Sequence, residues 1–158
     1  MTKYDWLLLI HILGAFLFLS GTIVAGILHL AAVRRDRPSE VALLLGLVRP
    51  AVVAVAVGSI VVLGFGIWLA DDAGYGIGDA WVVTAIVLWV ASGALAAPAG
   101  KTLRHGRQLA ERLAADGDRP SKELHRAVGD RRALLLNYVS FAMLIAMLVL
   151  MVFKPGAG

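Results

Sequence analysis

The sequence predicts an all-α membrane protein, an antiparallel bundle of four transmembrane helices with both termini outside. Three observations carry that reading. The 158 residues are 59% hydrophobic and only 16% charged, far from the balance of a soluble domain. Uncharged positions gather into four runs: 28 residues from Trp6 to Val33, 21 from Pro50 to Ala70, 21 from Ala80 to Gly100 and 21 from Ala133 to Phe153. About 20 apolar residues in a helix cross a bilayer, so each run is long enough. Finally, 13 of the 15 Lys and Arg lie in the connections 34–49 and 101–132, which assigns both to the cytoplasmic side.

The same arithmetic removes other classes. Low charge excludes a disordered chain, and the absence of Cys excludes a disulfide scaffold or a thiolate metal site. Isolated strands fail in lipid because their backbone groups find no partners, and no alternation of barrel type is present. The pI of about 9.9 follows from topology and does not indicate nucleic-acid binding.

The chain reads as a single transmembrane domain over 1–158. Its first helix, about 5–33, is too long for a signal-peptide core and lacks a cleavage site, so it is expected in the mature protein. Gly14, Gly21, Ala25 and Gly26 give it a small-residue face for close packing. The following connection carries Asp36-Arg37-Pro38-Ser39-Glu40, where Asp or Ser can cap a restarting helix and Pro sits at its first turn. The second membrane helix, about 50–70, enters at Arg49-Pro50 and presents Gly58 and Gly64. Its link to the third, Asp71 to Asp79, has no basic residue and therefore belongs outside.

The third helix, about 80–113, runs past the bilayer. Leu103, Gly106, Ala110 and Leu113 form one stripe, with Arg104, Arg107 and Arg112 off it. Such a basic amphipathic extension rests on anionic lipid, or alternatively forms a solvated helical hairpin. Asp118-Arg119-Pro120-Ser121 repeats the capping pattern before the fourth helix, about 133–153. Pro50 and Pro98 are expected to kink their helices. Trp6, Trp68 and Trp81 fall at the outer boundary, where an aromatic belt belongs.

No Asp, Glu, Lys or Arg lies near the middle of a crossing, which disfavours a pump or ion-coupled transporter. Ser59, Thr84, Ser92, Asn137 and Ser140 read as interhelical hydrogen-bonding groups. Histidine is the main candidate for chemistry. His11 lies about 7.5 Å inside Trp6, and His29, 18 residues on, falls on the same helix face about 27 Å away. His11 reads equally as a ligand and as a partner for a neighbouring helix, while His29 reads first as a side chain reaching the cytoplasmic interface. By helical rise, His29, Arg49 and His105 reach similar depths, and two imidazoles with a guanidinium suit an anionic cofactor such as haem. His105, set among arginines, reads more simply as solvated. Met143, Met147 and Met151 make an i, i+4, i+8 stripe, and Met147 and Met151 reach the depth of His11. Thioether with imidazole is a Cu(I) or haem ligand set, although such a stripe commonly serves packing.

Tyr4 to Gly14, Ser20-Gly21, Arg49-Pro50, Gly66-Ile67-Trp68-Leu69 and Val152-Phe153-Lys154-Pro155 together resemble a bacterial four-helix family, domain-of-unknown-function family 2269. That family is grouped with the copper-resistance protein CopD and the HemJ-type protoporphyrinogen oxidases. The likeness covers nearly the whole chain and rests on short, mostly apolar motifs. It implies a multi-pass protein of the bacterial cytoplasmic membrane. The HemJ-type relatives associate their first-helix histidine with haem b, and His11 is the matching position. This chain departs from them in its third helix, where Ala80 to Gly100 carries only Thr84 and Ser92 as polar side chains.

Three functions are therefore expected to compete. In the first, His11 ligates haem b or another small cofactor, with His29, Arg49 and His105 as further cofactor-binding candidates and a binding or redox role. In the second, His11 and the Met143, Met147, Met151 stripe bind or import copper. In the third, the protein is a non-catalytic accessory subunit. No catalytic set emerges from the residues. The expected partners are the lipid bilayer, anionic lipid at the basic connections, and a second copy or another membrane protein through the small-residue faces.

Overall fold

A computed structural model describes residues 2–154. Five helices follow in order: α1 (Lys3–Val33), α2 (Pro38–Asp72), α3 (Ala80–Ala115), α4 (Lys122–Val128) and α5 (Arg131–Phe153). There is no strand among the described residues. Four stretches are long and apolar enough to cross a membrane, the last running from Lys122 through α5.

Three of the helices start where a local side-chain acceptor meets the orphan amides of the first turn. Thr2 and Asp5 form a reciprocal capping box on α1, Ser121 accepts from the Leu124 amide at α4, and Asp130 accepts from the Arg132 amide at α5. α2 begins at Pro38, well ahead of the apolar run that starts at Pro50, and Pro50 is carried inside the helix. Its cap comes from elsewhere in the chain. Arg37 offers no side-chain cap; instead the Asp118 carboxylate accepts from the Ser39 amide and hydroxyl, both at 2.7 Å. The second of the two similar connections thus caps the helix that the first begins.

α1 and α2 pack over their length, and their pairings run in reverse order. A Cβ on Gly14 would stand 2.5 Å from Val61 Cγ1, one on Gly21 2.8 Å from the Ala51 carbonyl oxygen, and one on Gly58 2.5 Å from the Phe18 nitrogen. Only glycine permits this approach, which gains packing contacts where lipid provides no hydrophobic driving force. Gly26 and Gly64, expected at such contacts, have nothing within 4 Å of a Cβ position. α3 and α5 form the second pair, with the Ser140 hydroxyl donating to the Ser92 carbonyl at 2.8 Å. The two pairs join where the Trp89 indole donates to the Ser59 hydroxyl at 3.1 Å. Thr84 bonds only within its own helix, to the Ala80 carbonyl.

At one end, Ala32, Val41, Leu45, Val48, Ala110, Leu124 and Val128 form a buried cluster. Gly106 and Ala110 are buried and Leu103 and Leu113 pack beside them. The apolar stripe of the α3 extension is therefore covered by protein, by α1, α2 and the short α4, instead of lying on lipid or facing solvent. At the opposite end Lys3 pairs with Asp72 at 2.6 Å, and Lys154 stands over Tyr75 and Trp81. Both ends of the described chain thus meet the 71–79 link.

Candidate functional site

His11 occupies the α1 face that contains Gly14, one turn away, and so looks toward α2. Its Nδ1 lies 3.1 Å from the Val62 carbonyl oxygen. A carbonyl can only accept, so Nδ1 carries the proton and a neutral ring leaves the Nε2 lone pair unprotonated. The ring fits because Gly66 faces it: a Cβ there would stand 2.9 Å from His11 Cε1 and 3.2 Å from Nδ1. Val62 and Gly66, one turn apart on α2, act as a seat for the imidazole. This is the arrangement that fixes tautomer and orientation in ligating histidines.

The imidazole borders a cavity of about 480 Å³, within the range of small-molecule sites. α1 contributes His11, Ala15 and Phe18, α2 Val62 and Gly66, and α5 Leu144, Met147 and Met151. At the end toward the 71–79 link it is lined by Tyr4, Tyr75, Trp81 and Lys154. The cavity exists because α1 packs on α2 and α4 while α5 packs on α3, so α1 and α5 leave a gap between them.

His11, Met147 and Met151 thus line one cavity, whereas Met143 is absent from its wall. Met147 is buried against Ala85 and Leu144. The other cofactor candidates do not line this cavity. His29 is buried, and its Nε2–H donates to the Val128 carbonyl at 2.9 Å. That carbonyl ends α4 and has no helical partner, so the imidazole closes the short helix onto α1. Arg49 and His105 are exposed, and no hydrogen bond or ion pair among the described residues joins either to His29. His29 therefore has a structural partner in α4, while Arg49 and His105 stand exposed at their helix surfaces.

Trp81 also departs from expectation. Trp6 and Trp68 are exposed, as a belt requires, but Trp81 is only 9% exposed and its Nε1–H has no acceptor among the described residues. Among the described residues no three His, Asp or Glu gather as a metal site. The sequence reading missed Gly66 and Trp81 as site residues and took Gly64 for the contact glycine. Gly66 did stand in a noted motif, but nothing in one sequence tells which of two nearby glycines faces a histidine.

No curated protein and no solved structure matches the chain. A sequence model described as a predicted integral membrane protein family (DUF2269) matches residues 5–155, nearly all of the four-helix unit just described. By that match the chain belongs to the DUF2269 family of predicted integral membrane proteins.

Proposed function

We propose that this protein binds a small planar cofactor, haem b, in the cavity between α1, α2 and α5, with His11 as the ligand and a binding or redox role. The observation that carries the reading is the His11 seat, in which Nδ1–H is committed to Val62 and Nε2 is left as a donor of electrons. The donor set fits the group: imidazole and thioether are known haem ligands, and Met147 and Met151 border the same space. A bound haem supplies one-electron chemistry; the chain supplies the ligand, an apolar surround and exclusion of water. The volume of about 480 Å³ favours an organic group over a lone ion.

A second reading is supported by the shared cavity of His11, Met147 and Met151, a soft set suited to Cu(I). Optical spectroscopy of the purified protein separates the two. A Soret band in wild type that is lost in His11→Ala supports haem. Cu(I) binding lost in Met147→Leu supports copper. Neither signal from cofactor-supplemented cells leaves an accessory subunit.

The charge distribution supports an orientation with both termini outside a bacterial cytoplasmic membrane, the connections 34–49 and 101–132 facing the cytoplasm and anionic lipid. The cavity then opens in the outer half. A reporter fused after Gly158 that is active only in the cytoplasm tests this, and activity there refutes it.

A further inference from the structure

The end of the cavity toward the 71–79 link holds a cation that the described residues leave without a counter-charge. Trp81 is a buried indole whose Nε1–H meets no acceptor among the described residues; that nitrogen is covered by protein, so what the residue offers the cavity is its ring face. Lys154 Nζ stands 5.0 Å from the Tyr75 ring centroid and 5.7 Å from that of Trp81, and no carboxylate among the described residues lies within ion-pair distance of it. The contrast with Lys3 is direct, because Lys3 is neutralised by Asp72 at 2.6 Å. The left-handed backbone of Lys154, φ 40°, ends α5 at the cavity rim.

We propose that this end of the cavity is a recognition subsite for a carboxylate carried on an apolar ligand, with Lys154 supplying the charge and the Tyr75 and Trp81 rings holding it in place. A cation resting on two aromatic faces is held in place and remains available to an anion. A carboxylate beside it can accept from the ammonium, in a partly desolvated setting where charge-assisted bonds are strong. The rest of the ligand occupies the apolar cavity below, and the gap between α1 and α5 gives it a way in from the bilayer. Two sources offer this chemistry: a haem with its propionates, which rests on the cofactor reading above, and a membrane fatty acid, which does not.

The test uses detergent-purified full chain and compares each acid with its ester. Ferric haem and haem dimethyl ester are titrated by absorbance, oleate and methyl oleate by calorimetry, on wild type, Lys154→Gln, Lys154→Arg and Lys3→Gln. Wild type is expected to prefer the acid of at least one pair by about tenfold, the value of one charge-assisted bond. Lys154→Gln should abolish that preference, Lys154→Arg restore it, and Lys3→Gln leave it unchanged. Haem binding without acid preference, or a preference that survives Lys154→Gln, overturns the subsite and leaves the haem reading standing. No haem binding but a Lys154-dependent preference for oleate overturns the haem reading and sustains the subsite. Absence of any acid preference with both pairs overturns the subsite.

Discussion

Gly66→Ala tests the seat of His11 directly. The added Cβ would stand 2.9 Å from His11 Cε1 and 3.2 Å from Nδ1. Carbon atoms settle at about 3.5–4.0 Å, so the ring must retreat by roughly 0.6–1 Å. The bond to the Val62 carbonyl is already 3.1 Å, and a retreat of that size carries it beyond hydrogen-bonding distance. Losing a neutral hydrogen bond costs about 0.5–1.5 kcal/mol, while Ala for Gly within a helix returns up to about 1 kcal/mol. Overall stability therefore changes little, but the tautomer and aim of the imidazole are lost. Ligand affinity should fall about 10- to 100-fold, as it does when the partner of a ligating histidine is removed. Gly64→Ala is the control, because nothing lies within 4 Å of its Cβ position. Nitrogen-15 NMR of labelled histidine reads the Nδ1–H tautomer without any ligand, and a haem titration reads the affinity. If Gly66→Ala keeps both the wild-type tautomer and the wild-type affinity, the seat does not orient His11.

Other perturbations address the frame around the site. Gly58→Ala pushes a Cβ to 2.5 Å from the Phe18 backbone nitrogen, so α1 and α2 must separate; thermal unfolding in detergent should show a loss of about 1–3 kcal/mol or more, against no loss for Gly26→Ala. His29→Leu leaves the Val128 carbonyl unpaired in a buried site and should cost about 1–3 kcal/mol, freeing α4 to exchange its amide hydrogens faster. Ser39 hydrogen bonds hold the Asp118 carboxyl below the usual carboxylate range. Its contribution is therefore complete above the ordinary Asp value of about 3.9 and is lost as pH falls through the depressed folded value. Wild type should lose stability in acid, with Asp118→Asn less stable at neutral pH and showing a smaller acid loss in melts between pH 7 and pH 3.

The spans, their polar connections and the helix restarts were legible in the sequence because they depend on neighbours along the chain. About twenty uncharged residues between charged ones span a bilayer whatever they pack against, and Pro38 or Ser121 starts a helix by local geometry. The depth of His11 relative to Met147 and Met151 was legible for the same reason, since helical rise converts residue number into height.

Azimuth was another matter. Which face of α2 meets α1 decides that Gly66 and not Gly64 lies beside His11, that Val62 offers the carbonyl, and that Trp81 turns inward while Trp6 and Trp68 stay on the outside. In an apolar helix the hydrophobic pattern is nearly uniform around the axis, so it carries little information about the buried face. Likewise His29 and Asp118 found partners 99 and 79 residues away, contacts created only when α4 folds back over α1 and the two connections meet. The sequence by itself determined a four-helix membrane protein with one histidine of interest within its first span. Tertiary packing decided what surrounds that histidine, because the contacts that position it are interhelical and depend on the rotation of each helix about its own axis.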